Sequence, residues 1–158
     1  MTEFTRLLET LVGNDVRFVV VGGVAATVHG SARLTQDLDV VYARDEANLS
    51  RLVEALWPLQ PYPRGAPEGL PFTWDVETLA AGLNFPLTTT LGDLDLLGEI
   101  AGGGGYRKLV DDAIVVQLDE FDFLCLALQR LIDVKRAAGR PKDLEAIAEL
   151  EIIRDEMS

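Results

Sequence analysis

Arg17-Phe18-Val19-Val20-Val21-Gly22-Gly23-Val24-Ala25, followed further on by Gln36-Asp37-Leu38-Asp39-Val40-Val41, is the stretch on which the fold turns. The first run is β-branched and continuously apolar, as expected of a strand buried on both faces, and Gly22-Gly23 ends it abruptly. Val24 to Gly30 then reads as a short helix. Leu38, Val40 and Val41 predict a second strand that carries Asp37 and Asp39, and residues 45–57 return to helical period through Ala47, Leu49, Leu52, Val53 and Leu56. Strand, helix, strand, helix implies an α/β (or α+β) chain.

Working outward, Phe4, Leu7, Leu8 and Leu11 space an opening helix over residues 3–12, which Gly13-Asn14-Asp15 stops. From Pro58 to Pro71 five prolines and two glycines deny regular structure and predict a surface loop or lid. Phe72–Val76 and Leu87–Leu97 read as further strands, the second containing Asp93-Leu94-Asp95. Gly102 to Gly105 reads as a flexible connection, and Arg107 and Lys108 after it as part of a plain linker. Ala113–Leu118 and Phe121–Leu124 flank Asp119-Glu120, which reads as a two-residue hairpin turn, the alternative being that the second half begins the following helix. Helices over roughly 126–138 and 141–156 finish the chain, with Gly139 placed to close one and Pro141 to open the next. The expected organisation is one domain over 1–158, with a core at 17–118 and a C-terminal hairpin and helix pair at 119–158.

A chain of 158 residues with 48% apolar and 25% charged residues suits one domain with a true core. Its formal net charge of −12 repels a polyanion at long range, so generic clamping of nucleic acid is excluded and any such contact must be local. Lys135, Arg136, Arg140 and Lys142 form the one basic cluster suited to a phosphate; a solvated helix end is the competing account. Cys125 stands alone in an apolar run, which rules out a disulfide framework or thiolate metal site. No run approaches the ~18 apolar residues of a membrane span, and the first residues lack a basic segment leading into an apolar one. A soluble, cytoplasmic protein is expected.

In a strand, alternate side chains share a face, so Asp37 and Asp39 project together about 7 Å apart along the backbone. Like charges that close raise a pKa or destabilise the fold, and a hard cation such as Mg²⁺ relieves the repulsion with oxygen ligands. A DxD alone usually marks a solvated turn in an acidic protein. Here a buried strand ends just before it in Gly22-Gly23 and opens a helix, a way of offering backbone N–H groups to phosphate. Neither the dinucleotide GxGxxG pattern nor a GxxxxGK[ST] P-loop is present.

Gly22-Gly23-Val24-Ala25 with His29-Gly30-Ser31-Ala32-Arg33-Leu34-Thr35-Gln36-Asp37-Leu38-Asp39 resembles the signature of the polymerase-beta-like nucleotidyltransferase superfamily. Within it the likeness is to AbiE-type toxin nucleotidyltransferases and their small relatives, supported by Lys135-Arg136-Ala137-Ala138-Gly139-Arg140-Pro141-Lys142-Asp143-Leu144. The resemblance spans about residues 17–150 and implies a nucleotidyltransferase fold, a mixed twisted sheet flanked by helices with a C-terminal helix pair. It implies transfer of a nucleoside monophosphate from an NTP, with two Mg²⁺ ions (Mn²⁺ as the alternative) held by three carboxylates. The first two fall at Asp37 and Asp39. Asp95 matches the third best, and Asp93, on the same strand face, is the fallback. Asp95 would hold the ion that activates the acceptor and take up the acceptor's proton.

The family often has Ser after the first glycine, where this chain has Gly23; the AbiE-like members share that departure. The resemblance further implies that Arg33 and Thr35 contact the nucleotide or order the loop before the acidic strand. Lys135 falls on the apolar stripe of its helix, in step with Leu128, Leu131 and Ile132, so its ammonium should point inward unless it snorkels at the helix end. Asp143 lies in step with Ile147 and Leu150, although an acid suits any first helical turn. Relatives use matching Lys and Asp residues near the leaving phosphates. His29, the only histidine, reads as structural. The leading acceptor is a tRNA end, the alternative a small molecule of the antibiotic type; a non-catalytic nucleotide-binding module of a toxin–antitoxin system is the third reading, and an antitoxin would then be a partner.

Overall fold

The computed structural model describes residues 1–157. Its helices are α1 (Phe4–Gly13), α2 (Gly22–Val28), α3 (Glu46–Leu56), α4 (Val76–Ala81), α5 (Tyr106–Leu109), α6 (Leu128–Ala138) and α7 (Pro141–Met157). Its strands are β1 (Phe18–Val21), β2 (Asp37–Tyr42), β3 (Tyr62–Pro63), β4 (Phe85–Thr89), β5 (Gly92–Leu97), β6 (Ala113–Leu118) and β7 (Phe121–Leu126). They form one mixed sheet in the order β3-β4-β5-β2-β1-β7-β6. The expected mixed sheet with flanking helices and a C-terminal helix pair is therefore present.

All four residues of β1 are buried, as its apolar run requires. β2 pairs antiparallel with β1, Val21 opposite Asp39. On its other side β2 runs parallel to β5, with Asp37 beside Asp93 and Asp39 beside Asp95. Four carboxylates thus share one sheet face. Leu38, Val40, Leu94 and Leu96 point the other way and are fully buried. Each stabilises by about 1.5–3 kcal/mol, and a one-residue slip would drive the carboxylates into the core, so the apolar face fixes the register that gathers the acids.

Local chemistry explains most of the elements. Leu7, Leu8 and Leu11 form the buried stripe of α1. Asp45 caps α3 by accepting from the Asn48 amide at 3.2 Å. The β6–β7 hairpin turns on Asp119-Glu120, and Asp119 takes the left-handed conformation at φ +54°. Gly139, at φ +67°, closes α6, and Pro141 opens α7. Cys125 is fully buried, and burial pushes its thiol up to about 12, which makes it core filling.

Five expectations are corrected. Phe72–Val76 is not a strand: Trp74 is buried with its indole donating to the Val53 carbonyl, and Asp75 spends its side chain capping α4 through the Thr78 amide at 2.8 Å. Leu87–Leu97 is two antiparallel strands, β4 and β5, because the Thr89 hydroxyl folds the chain back by accepting from Leu91 N and donating to Gly92 O. The Pro58–Pro71 segment is not wholly irregular, since a 3-10 turn at Trp57–Leu59 and the short edge strand β3 interrupt it. Gly102–Gly105 is no open linker: Ile100 bridges to Gly104, Gly102 packs on Ala137, and the chain leads into α5 and a second 3-10 turn, Val110–Asp112. Finally, α2 begins at Gly22, two residues before the expected start. Among the described residues no helix is long and apolar enough to cross a membrane.

Candidate active site

The register of β2 and β5 brings Asp37, Asp39 and Asp95 together, with one oxygen of each within 4.8 Å of the others. Asp93, the fallback, is not in this trio. The three carboxylates open onto a cleft of about 760 Å³ whose walls include Gly22, Gly23, Arg33, Thr35, Lys135 and Asp143. The carboxylate and nucleotide-binding candidates from the sequence, apart from Asp93, therefore line one cavity; Arg136 of the basic cluster does not.

Its glycines are there for space. Gly22 sits at φ +68°, and a Cβ on it would stand 2.1 Å from Asp39 Oδ2. At Gly23 a Cβ would meet Thr35 Oγ1 at 2.5 Å. The Thr35 hydroxyl donates to the Asp37 carbonyl at 3.3 Å, which ties the loop to the start of β2. Arg33 lines the cleft from the same loop, half exposed, and pairs with Glu145 at 3.2 Å. Ser31, next to it, donates to Glu149 at 2.5 Å, so the loop is fastened to α7. His29 contacts the Leu126 carbonyl at 2.8 Å, which is the expected structural role.

On the far wall, burial lowers the pKa of Lys135, while Asp143 and Asp39 act in the opposite direction by charge. Its inward placement follows from the apolar stripe of α6. Asp143 is only 4% exposed. Arg140 holds it, with Nε at 2.7 Å from Oδ2, Nη2 at 3.3 Å from Oδ1, and its own amide donating to Oδ2 at 3.3 Å. Burial raises the pKa of Asp143, but the Arg140 bonds and charge outweigh it, with help from Lys135, and the net shift is downward. Lys135, Arg140 and Asp143 thus form one charged group across the cleft from the carboxylates.

The carboxylates themselves are strained electrostatically. Burial first, then hydrogen bonding to Asp95 and the charges of Asp37 and Asp95, push Asp39 up to about 8, with Lys135 opposing. Asp37 is raised by burial and by Asp95, with Arg64 opposing. Asp39 Oδ1 is buried without a hydrogen-bond partner. Orphaned, clustered carboxylate oxygens suit a hard divalent cation, whose oxygen ligands they would be.

These shifts carry a pH prediction for the protein in EDTA. A carboxylate whose folded pKa lies above its unfolded value binds more protons when folded, so its contribution to stability is full below the unfolded value and is lost as pH rises toward about 8. Asp39→Asn removes that group. Denaturant unfolding at about pH 5 and about pH 8 should show a smaller loss for Asp39→Asn than for wild type. Equal losses would show that Asp39 is not the buried acid the geometry makes it.

Arg64 escaped sequence reading. It is the only Lys or Arg between Arg51 and Arg107, set in the proline-rich segment, and that isolation was the available signal. Its guanidinium reaches Asp95 at 2.8 Å, Asp93 at 3.6 Å and Asp37 at 3.7 Å.

With this geometry in view, comparison with solved structures gives a match over nearly the whole chain. A "putative nucleotidyltransferase" from Thermotoga maritima superposes with a TM-score of 0.55 over 99% of this chain and 95% of that one, at 14% sequence identity. The chain has a nucleotidyltransferase-like fold. At this identity the likeness speaks for architecture alone, and the carboxylates above stand on their own geometry. No family model matches the sequence, and neither does any curated protein. Within the nucleotidyltransferase-like sheet the acidic trio lies at the junction of two parallel neighbours, β2 and β5, beside the strand-to-helix turn of Gly22 and Gly23.

Proposed function

We propose that this protein is a metal-dependent nucleotidyltransferase that moves a nucleoside monophosphate from an NTP to an acceptor and releases pyrophosphate. The observation that carries the reading is the Asp37–Asp39–Asp95 trio, with oxygens within 4.8 Å and one buried oxygen orphaned, opening onto a cleft of about 760 Å³. Asp37 and Asp39 would be shared ligands of two Mg²⁺ (or Mn²⁺) ions, and Asp95 a ligand of one. Bound there, such ions supply Lewis-acid polarisation of phosphoryl oxygens and neutralise charge that develops on them. In-line phosphoryl transfer needs positioning and charge neutralisation more than covalent catalysis, which suits a cleft with no nucleophilic triad.

The chain's own residues then divide the work. Gly22 and Gly23 let the phosphates approach the backbone, and Thr35 and Arg33 order the loop over them. Lys135, inward and partly desolvated, faces the departing phosphates, with Asp143 and Arg140 fixing its surroundings. An acceptor hydroxyl oxygen forms the new bond to the α-phosphorus as the bond to the bridging oxygen of pyrophosphate breaks; the hydroxyl proton passes to Asp95. For the acceptor we favour a tRNA end, in keeping with the AbiE-type resemblance of residues 17–39 and 135–144; a protein of net charge −12 would touch it locally rather than clamp it.

Incubation with Mg²⁺, each labelled NTP in turn, and separate RNA, protein and small-metabolite fractions of a lysate tests this. Label is expected in the RNA fraction. Label among small metabolites would replace the tRNA proposal with the antibiotic-type one, and no label in any fraction with any NTP would sink the enzymatic reading.

A further inference from the structure

Arg64 has no part in the chemistry above, yet it makes more charged contacts with the carboxylate face than any other cation. It reaches that face from the end of β3, across β4, while its amide donates to the Pro86 carbonyl and Nη2 donates to the Leu87 carbonyl, each at 2.8 Å. Toward the acids it is close but badly aimed. Nη2 lies 2.8 Å from Asp95 Oδ1, but that oxygen and Arg64 Nε are both buried without a hydrogen-bond partner. Charge brings the groups together without the paired geometry that makes an arginine–carboxylate contact strong.

The platform beneath Arg64 is slight. β3 has two residues and pairs with β4 through Tyr62–Thr88 and Pro63–Leu87 only. Gly65 follows at φ +79° with open space about its Cα. Departure with the segment would forfeit, beyond the ion pairs, only the side chain's bond to the Leu87 carbonyl, the amide's bond to the Pro86 carbonyl and the two β3–β4 pairs.

We propose that Arg64 is an exchangeable internal counter-cation, which screens Asp37, Asp93 and Asp95 until a divalent cation enters and then swings out with the segment around it. The inference rests on the metal reading of the trio. A dication ligated by carboxylate oxygens compensates them better than a misaligned guanidinium, and the two cations repel one another at this range. The proline-rich segment thereby becomes a strap whose position reports metal loading.

Trypsin supplies a readout independent of activity, because it must take the Arg64 side chain into its own pocket to cut the Arg64–Gly65 bond. Cleavage at that bond, followed by mass spectrometry, is expected to be about fivefold or more faster in saturating Mn²⁺ than in EDTA, with cleavage after other cations unchanged or slowed. Asp39→Asn should lose the acceleration. Arg64→Gln should bind Mn²⁺ about tenfold more tightly than wild type, measured by the loss of free Mn²⁺ signal in electron paramagnetic resonance. If wild type binds Mn²⁺ but the Arg64–Gly65 bond is cut no faster, Arg64 stays in place and this proposal alone falls. If wild type binds no Mn²⁺ at all, the metal reading of the trio falls first. Should Arg64→Gln fail to fold, the wild-type cleavage comparison still decides.

Discussion

Asp37→Asn with Asp39→Asn is expected to lower label transfer by at least about a thousandfold, since the loss of metal-borne charge stabilisation removes several kcal/mol from the transition state and each 1.4 kcal/mol is tenfold. Mn²⁺ binding should vanish with it. Stability in EDTA should move the other way. Burial and mutual repulsion push Asp39 up to about 8, so neutral amides of the same shape relieve a cost the folded protein carries. A variant that is inactive and yet melts no lower than wild type separates a functional carboxylate from a structural one, because breaking a structural pair would lower both. A folded double variant that still transfers label would end the proposal, and one that is unfolded in EDTA would show that the trio holds the sheet together.

The opposed effects also explain how much of the site was legible. Asp37 and Asp39 could be read because strand alternation is set by the backbone alone, and Val40 and Val41 made the strand unmistakable. Asp95 could be placed on the same face as Asp93, but telling them apart needed the third dimension: each pairs with an acid of β2, and it is Asp95 whose oxygen lies within 4.8 Å of both Asp37 and Asp39. Lys135 and Asp143 were visible as charges on apolar helical stripes, a conflict that local periodicity exposes. Arg64 was not, since its reach from β3 over β4 depends on strand pairings between residues far apart in the chain. The missed elements have the same origin. Trp74 looked like strand material because it is aromatic, but its indole is committed to Val53 across the fold, and the tetraglycine looked flexible because nothing in its own sequence reveals that Ala137 packs on it.

Gly22 had a sequence reading that the structure sharpens into the second large prediction. The glycine pair was expected to bring phosphate near the backbone; in the folded chain Gly22 also makes room for Asp39. Gly22→Ala carries two costs. At φ +68° an alanine is strained by about 1–2 kcal/mol, and its Cβ would stand 2.1 Å from Asp39 Oδ2 and 2.9 Å from Cγ. The backbone cannot yield easily, because Val21 and Asp39 are opposite partners in the β1–β2 ladder. The Asp39 side chain must therefore turn away from Asp37 and Asp95. Mn²⁺ affinity should fall about 10- to 100-fold, and the melting temperature should drop as well. Gly69→Ala separates the two costs: Gly69 has φ +85° and nothing within 4 Å of an added Cβ, so it incurs the backbone strain alone and should leave Mn²⁺ binding unchanged. Gly23→Ala, whose Cβ would meet Thr35 Oγ1 at 2.5 Å and Thr35 Cβ at 2.8 Å rather than a metal ligand, should fall between them. If Gly22→Ala kept wild-type Mn²⁺ affinity, or matched Gly69→Ala in every measurement, the collision with Asp39 would carry no weight and the glycine would be explained by its backbone angle alone.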